Sequence, residues 1–292
     1  MNTHEIVTER IINLLEQGVI PWRRPWRAAG APRNLVSKKN YRGVNFFLLS
    51  ATKFLSPNWL TLRQANQLGG SVRKGEHGQI VIFWKAETRT EADRESGSET
   101  LDDSEQSRPR FVLKFYRVFN LQQCELPQAV TETLPKIETH QCDPIEAVEN
   151  IITGMPNPPA IVRGGSKAYY SPITDRITLP PCELFESAAE DAATTLPELS
   201  HSSGHEKRLR REGITEVAPN GSPIYSREEL VAELSAAFLC AEAGISNAVI
   251  QNQAAYVSGW LARLRDDRKL IVYAAAQAQR SADYILNQST TE

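Results

Sequence analysis

The sequence predicts an α+β fold divided into two domains, and three observations lead to this prediction. The chain has 292 residues, whereas a single domain usually has roughly 100–200. Patterns typical of helices and of short strands occur in both halves. A proline-punctuated stretch, LPQAVTETLPKIETHQCDP, spans residues 126–144 and is typical of an interdomain linker. We therefore expect a first domain at 1–127, a linker at 128–146 and a second domain at 147–292.

Hydrophobic periodicity predicts the positions of the individual elements. Helices are expected at 3–18, 61–68, 144–153, 184–203, 226–243 and 247–286. Strands are expected at 45–50, 79–85, 111–119, 159–163 and 168–178. Between two of these strands, residues 87–108 are polar and acidic and show no periodicity. This segment is expected to be a flexible, solvated loop inside the first domain.

The composition argues against several classes of protein. No apolar run reaches the roughly 18 residues that a membrane-spanning helix needs, so no membrane association is expected. The first residues, MNTHEIVTERIINLLEQ, have the pattern of an amphipathic helix and not that of a signal peptide. The cysteines form no CxxC pair, which argues against a disulfide framework and against a cysteine-based zinc site, and favours the cytoplasm. They are Cys124, Cys142, Cys182 and Cys240.

The formal net charge of −2 conceals a strong asymmetry along the chain. Residues 1–86 contain 13 Lys/Arg and 4 Asp/Glu, a formal charge of +9. The remaining residues contain 20 basic and 31 acidic side chains, a formal charge of −11. Such an asymmetry is typical of proteins in which one part contacts nucleic acid or a membrane. Four of the five tryptophans also lie in the basic part.

The segment PWRRPWRAAGAPRN interleaves aromatic and basic side chains within this basic part. Its prolines keep the backbone extended, so the side chains are expected to project outward. Proteins bind single-stranded nucleic acid with this combination, because cations follow the phosphates and aromatic rings stack on unpaired bases. The predicted DNA contacts are Trp22, Arg23, Arg24, Trp26, Arg27, Arg33, Lys38, Lys39, Tyr41, Arg42, Arg73 and Lys74.

Structural roles for the same residues remain open from the sequence. Tryptophans beside prolines often anchor a loop on a core, and basic residues often only solvate a surface. Trp59 and Trp84 are expected to lie in the core and not on a contact surface. Neither a GxGxxG fingerprint nor a Walker loop occurs, so chemistry on nucleoside triphosphates is not expected.

In the second half, the segment TTLPELSHSSGHEKRLRRE predicts a helix with metal-binding potential. At about 100° per residue, Glu198, His201 and His205 fall within a roughly 60° arc of the helix. Two imidazoles at i and i+4 can bind one zinc ion. Glu229, on the following predicted helix, is a candidate third ligand. Such a site would leave one position open for a water molecule.

A proline interrupts the His-Glu-x-x-His pattern that zinc peptidases use. Pro197 stands where the first histidine is expected, and without a backbone N–H it either begins or kinks the helix. Two interpretations remain open. In one, the site is lost and the helix is structural. In the other, His201, His205 and Glu229 bind the metal and Glu198 is a possible base.

An ordered series of motifs runs through residues 1–127. The motifs are PWRRPW, N-x(6)-YRGVN, W-x-T-x(2)-Q-A, LGGSVRKGEHG and VFNLQQCE. In this order they resemble the N-terminal domain of the ArdC-type antirestriction proteins, which is shared with plasmid TraC-type primases. The resemblance implies a single-stranded-DNA-binding domain on a product of a conjugative plasmid.

The second half contains Y-x-P-x-x-D-x-I-x-L-P, ELSHSSGHEKRLRRE and YSREELVAELSAAFLC. These motifs resemble the zincin-like metallopeptidase domain of the same family. The family pattern, His-Glu-Leu-x-His-x-x-Gly-His, implies Glu198, His201 and His205 as site residues, with Glu229 as the carboxylate ligand. The implied cofactor is a divalent metal, zinc or alternatively manganese. Pro197 departs from the pattern, which puts peptidase activity in doubt more than the fold.

The resemblance implies a protein that binds single-stranded DNA and protects incoming conjugative plasmid DNA from host restriction endonucleases. The expected partners are single-stranded DNA and restriction endonuclease subunits. Two alternatives remain open. One is a DNA-tethered metalloprotease that cleaves a restriction or host protein, and the other is a single-stranded-DNA-binding accessory of replication or of a primase.

Overall fold

A computed structural model describes most of the chain, with several gaps. The described residues are 2–17, 19–22, 31–52, 54, 56–87, 110–132, 144–165, 167–185, 187–216, 222–245 and 253–288. The helices in these ranges, α1 to α10 in order, are Thr3–Glu16, Val44–Ser50, Leu62–Gln67, Gln128–Glu132, Pro144–Gly154, Ala188–Ser203, Glu212–Thr215, Pro223–Ala243, Gln253–Asp266 and Leu270–Ile285. The strands, β1 to β9, are Arg33–Asn34, Asn58–Leu60, Ser71–Val72, Gln79–Glu87, Arg110–Asn120, Cys124–Glu125, Ala160–Arg163, Tyr169–Ser171 and Arg176–Leu179.

Both halves combine helices with a sheet, so the predicted α+β class is confirmed. In the N-terminal half, a four-stranded sheet has the order β1-β2-β5-β4. Strands β4 and β5 form a long antiparallel hairpin whose register runs from Gln79 opposite Val118 to Glu87 opposite Arg110. The predicted acidic loop therefore connects the two strands of this hairpin, although residues 88–109 lie outside the described residues.

The strand predicted at residues 45–50 is wrong, because these residues form helix α2. The stretch VNFFLLS is apolar throughout, and a short apolar run does not distinguish a buried strand from a buried helix. In the structure α2 is enclosed on several sides: Phe46 and Phe47 are 3% and 0% exposed. Asn45 fixes the helix to the sheet, since its amide donates to the carbonyl of Ile82 (2.7 Å) and accepts from the N–H of Ile82 (2.7 Å).

In the C-terminal half, a three-stranded sheet with the order β7-β9-β8 lies beside a layer of helices formed mainly by α5, α6, α8 and α10. Helix α8 begins cleanly because the Ser222 hydroxyl accepts the N–H of Tyr225 (3.2 Å) and Pro223 occupies the first turn. It ends at Gly244, whose φ of +69° suits glycine. The helix predicted at 247–286 is divided into α9 and α10 by residues 267–269. No helix of the described ranges is long and apolar enough to cross a membrane.

The largest hydrophobic core extends across the boundary predicted between the two domains. It includes side chains of α1 and α2 together with side chains of α6, α8 and α10. Phe238 of α8 lies with its ring centroid 4.8 Å from those of both Phe46 and Phe47. The hydroxyl of Thr8 donates to the carbonyl of Arg268 (2.6 Å) across the same contact. The predicted domain limits stay predictions, while the packing joins both halves over one core.

Candidate functional site

A cleft of about 890 Å³ lies between α6, the β8–β9 hairpin, α7 and the first turns of α8. Helix α6 provides Glu198 and His201, and α8 provides Tyr225. Acidic side chains outnumber basic ones in its lining, which favours the binding of cations. The carboxylates are those of Asp175, Glu198, Glu206, Glu216, Glu228 and Glu229.

Helix α6 continues through Pro197 and does not begin there. It begins at Ala188, and the hydroxyl of Ser187 caps it by accepting the N–H of Glu190 (3.2 Å). Pro197 removes one backbone hydrogen bond, yet the helix is held by Leu196 and Leu199, both fully buried. The fold therefore keeps the helix that presents the site, while the position of the first expected ligand has no donor atom.

His201 lies between two carboxylates of α8. Its Nδ1 is 3.3 Å from Oε1 of Glu228, and its Nε2 is 3.7 Å from Oε1 of Glu229. Burial lowers the pKa of His201, but the hydrogen bond and the charges of Glu228, Glu229 and Glu198 outweigh burial and raise it. The structure thus brings His201 and Glu229 together, as the sequence predicted, and their role as metal ligands stays a prediction.

Glu228 is a site residue that the sequence did not single out. Its carboxylate accepts two hydrogen bonds from Arg211, at 2.9 Å from Nε and 2.6 Å from Nη2, and both side chains are less than a tenth exposed. Burial raises the pKa of Glu228, but the Arg211 guanidinium and then His201 outweigh burial and lower it. Glu228 therefore orients the Nδ1 side of His201. The sequence does not indicate which of the adjacent residues Glu228 and Glu229 binds an arginine and which one faces the cleft.

Glu198 lies in the same cleft, on the helix face of His201. Burial raises its pKa, and the Glu229 charge adds to this effect, while His201 and the backbone of Tyr170 partly oppose it. Burial, followed by Glu229, also raises the pKa of Tyr225. A carboxyl group with a raised pKa beside a histidine with a raised pKa can hold and exchange a proton.

Helix α6 ends at Ser203, with Gly204 as its C-terminal cap, and the N–H of His205 donates to the carbonyl of Ser202 (3.0 Å). The Nε2–H of His205 donates to the carbonyl of Pro172 (3.2 Å), and its Nδ1 accepts the N–H of Lys207 (3.2 Å). Both ring nitrogens are thereby engaged within the wall of the cleft. The prediction that His205 joins His201 and Glu229 as a metal ligand stays a prediction.

Next to His205, a second buried ion pair holds the β8–β9 turn. The Arg208 guanidinium donates to both carboxylate oxygens of Asp175 (2.7 and 3.0 Å), and the hydroxyl of Tyr170 also donates to Asp175 (3.0 Å). Burial raises the pKa of Tyr170, and the hydrogen bond to Asp175 raises it further. This ion pair positions the rim of the cleft opposite α8.

The described residues provide only part of a zincin ligand set. A zincin site of this type uses three protein ligands and one open position. Here His201 Nε2 and the Glu229 carboxylate face each other, Pro197 has no donor atom, and both ring nitrogens of His205 are engaged in hydrogen bonds. Among the described residues, no three His, Cys, Asp or Glu side chains are arranged to hold a metal ion. The predicted ligand set of His201, His205 and Glu229 stays a prediction.

Two of the predicted DNA contacts are buried in the N-terminal half. Trp22 is fully buried, its indole N–H donates to the carboxylate of Glu233 (3.2 Å), and its ring meets that of Trp260 edge-on at 6.4 Å. Tyr41 is 7% exposed and packs in a small core with Trp59. A base cannot stack on an enclosed ring, so neither residue is a stacking surface in this structure. Trp59 lies in the core as expected.

The other predicted contacts differ in their surroundings. Lys38, Lys39 and Lys74 are exposed. Arg33 donates to the side chain of Asn58 (3.0 Å). Arg42 and Arg73 are exposed but paired, Arg42 with Asp283 and Arg73 with Glu76. Arg23, Arg24, Trp26 and Arg27 lie outside the described residues.

The expectation that Trp84 lies in the core is wrong, since its side chain is 59% exposed on β4. Three further aromatic side chains of the β4–β5 hairpin are also exposed: Phe83 at 47%, Phe115 at 44% and Tyr116 at 45%. The stretches QIVIFWK and RFVLKFYRVFN are so apolar that both faces of each strand are expected to be covered. Such a pattern does not indicate that the aromatic side chains are exposed while neighbouring valines are buried.

Fold and site together define a protein in which a basic α+β half is joined to a zincin-like half with an incomplete ligand set. Residues 146–277 match the family model of zincin-like metallopeptidases, and residues 1–119 match the N-terminal domain of anti-restriction factor ArdC. Crystal structures of the antirestriction ArdC protein from plasmid R388 are similar over the whole chain. The metal-free structure is 32% identical with a TM-score of 0.74, and covers 99% of this chain and 100% of that one. The chain belongs to the ArdC antirestriction family.

Other similar proteins extend this comparison. The Mn(II)-bound crystal structure of the same R388 protein is 33% identical with a TM-score of 0.74, over 100% of this chain and 99% of that one. Uncharacterized protein y4eC of Sinorhizobium fredii (strain NBRC 101917 / NGR234) is 35% identical over 98% of this chain and 92% of its own length. DNA primase TraC of Escherichia coli is 35% identical over 97% of this chain, which spans only 27% of the primase.

Proposed function

We propose that this protein is an antirestriction factor whose N-terminal half binds single-stranded DNA and so protects incoming conjugative plasmid DNA from host restriction endonucleases. The observation that carries the proposal is the formal charge of +9 on residues 1–86, in a half that matches the ArdC N-terminal domain. Phosphates attract such a segment and are repelled by the remaining residues, with their formal charge of −11. Protection of incoming DNA implies action in the cytoplasm of the recipient cell.

A salt titration tests the DNA-binding part of this proposal. Binding of a fluorescein-labelled oligothymidylate is followed by anisotropy between about 50 and 200 mM salt, where counterion release predicts a steep loss of affinity. Replacing the exposed Lys38 and Lys39 together by alanine should weaken binding. It should also make the plot of log K against log salt concentration less steep, by the amount that corresponds to roughly two phosphate contacts. Lys167→Ala, an exposed lysine in the acidic part, is the matched control. Weak binding without a salt slope would contradict the proposal.

The protective role is tested by plasmid transfer. Transfer into a restricting recipient should fall when the gene is deleted, whereas transfer into a recipient without restriction systems should be unchanged. An equal loss in both recipients would favour the alternative of a replication or primase accessory, which the similarity to TraC primases supports. Co-purification with restriction endonuclease subunits would indicate that proteins of the restriction system are partners as well.

A divalent metal is the proposed cofactor of the cleft, held by His201, His205 and Glu229 with Glu198 beside them. The zincin-like fold, the acidic lining and the Mn(II)-bound R388 protein support a divalent ion. When bound, such an ion would polarise a carbonyl group or acidify a water molecule. Imidazole and carboxylate ligands suit zinc, and manganese is the alternative. Because Pro197 stands in place of the first histidine of the family pattern, the affinity should be weaker than that of a site with the complete pattern.

The acidic cleft favours one second candidate, a DNA-tethered metalloprotease that cleaves a restriction or host protein. Glu198, with its raised pKa beside His201, is the group that such a reaction would use as acid or base. A Glu198→Gln variant separates the two functions, because it removes the carboxylate with little change of volume. Protection that survives this substitution would dismiss proteolysis as the mechanism.

A further inference from the structure

The β4–β5 hairpin carries two aromatic side chains side by side on one face. Val81 lies opposite Tyr116 in the register, and Phe83 lies opposite Lys114. Residues that are paired in register point to the same face of a sheet, so Phe83 and Tyr116 share a face and are diagonal neighbours. Their ring centroids are 5.8 Å apart, and they are 47% and 45% exposed.

The same face is buried at one end of the hairpin and open along the rest. Val81 and Val118 are 0% and 2% exposed and belong to the small core around Tyr41 and Trp59. The ring of Tyr41 lies 6.4 Å from that of Phe83, so the core supports one side of the exposed pair. Two large rings held beside a rigid core and left half-exposed are typical of a binding surface.

The charges on this face favour an anionic ligand. Lys85 and Lys114 point to the same side as Phe83, and both are exposed. Among the described side chains of this face, at residues 79, 81, 83 and 85 and residues 112, 114, 116 and 118, none is acidic. Cations flanking accessible aromatic rings are the combination by which proteins bind single-stranded nucleic acid.

We propose that Phe83 and Tyr116 form a platform on which unpaired bases of single-stranded DNA stack, while Lys85 and Lys114 contact the phosphates. The proposal rests on the proposed function of the N-terminal half and assigns it a site that the basic segment PWRRPW does not include. A duplex does not fit this surface, because its bases are already stacked on one another. The expected binding tolerates many sequences, since every base has a face that stacks.

The opposite face of the hairpin has a different setting. Trp84 contacts the ring of His4 at 6.1 Å, and the hydroxyl of Thr3 donates to the carbonyl of Leu113 (2.8 Å), so helix α1 lies against this side. Phe115 is on the same side as Trp84. A Trp84→Ala/Phe115→Ala variant therefore removes two rings of similar exposure from the same strands and serves as the matched control.

The test measures binding of a labelled oligothymidylate of about 20 nucleotides to the full chain by anisotropy, together with an abasic strand of the same length. Loss of one stacked base corresponds to roughly 5- to 150-fold weaker binding. Phe83→Ala/Tyr116→Ala should weaken binding of the oligothymidylate at least about 5-fold. The slope of log K against log salt concentration should stay unchanged, because no phosphate contact is removed. The abasic strand should bind the wild type and this variant equally weakly. Tyr116→Phe, which keeps the ring, should bind within about two-fold of the wild type.

Each outcome separates this proposal from the proposed function. If the wild type binds and Phe83→Ala/Tyr116→Ala binds equally well, the platform is refuted while DNA binding stands. If Trp84→Ala/Phe115→Ala loses as much affinity, the loss is not specific to the face and the platform is also refuted. If the wild type does not bind, the proposed function itself fails.

Two further measurements complete the test, and the first of them does not depend on the folding of any variant. Photocrosslinking of wild-type protein to a strand containing 5-iodouracil should label the peptides of Phe83 or Tyr116, and labelling only elsewhere would overturn the proposal. Size-exclusion chromatography tests the other occupant of an exposed aromatic face, a second copy of the chain. A wild-type dimer that the double substitution converts to a monomer would assign the face to self-association and refute the platform.

Discussion

Replacing Arg208 by methionine should destabilise the fold by about 3–5 kcal/mol. The Arg208 side chain is 1% exposed and donates to both carboxylate oxygens of Asp175. It also donates to the carbonyls of Asn157 (2.8 Å) and Ser202 (3.0 Å). Methionine occupies a similar volume but cannot donate, so a carboxylate and two carbonyls lose the hydrogen bonds from Arg208, and Asp175 keeps the hydroxyl of Tyr170 as a donor. Because Asp175 is 19% exposed and water can reach it, we expect the lower end of this range.

Urea unfolding followed by tryptophan fluorescence measures this loss. Lys207→Met is the control, since the neighbouring Lys207 is exposed and its replacement should change the free energy of unfolding by less than about 0.5 kcal/mol. The ion pair joins the chain after α6 to the β8–β9 turn, so the variant should also have a less ordered cleft. A loss below about 1 kcal/mol for Arg208→Met would refute the reasoning, because it would mean that water replaces the guanidinium at little cost.

Three other features of the structure, at Asp175, Trp22 and Pro197, lead to predictions of their own. Burial raises the pKa of Asp175, but hydrogen bonds from Arg208 and Tyr170 outweigh burial and hold this pKa below the ordinary value of 3.8. The ionised Asp175 therefore stabilises the fold above pH 3.8, and this stabilisation is lost as the pH falls through the pKa of the folded protein. The difference in free energy of unfolding between wild type and Asp175→Asn should therefore be constant from about pH 7 to pH 5 and shrink below about pH 4, and a constant difference throughout would contradict this. Trp22→Ala should lower the free energy of unfolding by about 3–5 kcal/mol without weakening DNA binding by the folded variant, and the reverse result would restore Trp22 as a DNA contact. Pro197→His should raise zinc affinity at least about ten-fold in calorimetry by adding the missing ligand, and no gain would show that position 197 does not face Glu229.

The sequence predicted several of the longer helices and strands, because their patterns are local. Of the elements that line the cleft it predicted α6 and α8, whereas the strand expected at 168–178 is the β8–β9 hairpin and α7 was not predicted. The periodicity of α1, α6 and α8 and the apolar runs of β4 and β5 predicted their type and approximate extent. The error at residues 45–50 arises where local pattern is ambiguous. A fully apolar segment of this length becomes a helix because Phe46 and Phe47 then pack against Phe238, a residue almost 200 positions away in the sequence.

The candidate site was predictable only in part. The resemblance to ArdC-type proteins predicted that His201 and Glu229 meet across two helices, and they lie 3.7 Å apart. The His-x-x-x-His spacing did not predict the hydrogen bonds of His205 with Pro172 and Lys207, because Pro172 comes from the distant β8–β9 turn. Arg211, which binds Glu228, is one of several arginines in the segment after His205, and the sequence does not indicate which of them meets a glutamate of α8.

By itself the sequence determined the α+β class, the uneven distribution of charge, the zincin-like segment with Pro197 in place of a ligand, and membership of a family with recognisable motifs. The tertiary structure decided which of the marked side chains are accessible. Trp22 and Tyr41 are buried, while Phe83, Trp84 and Tyr116 are exposed, although all five are large aromatic residues among basic or apolar neighbours. The physical reason is that periodicity and charge are properties of a local segment, whereas exposure depends on the distant elements that pack against it.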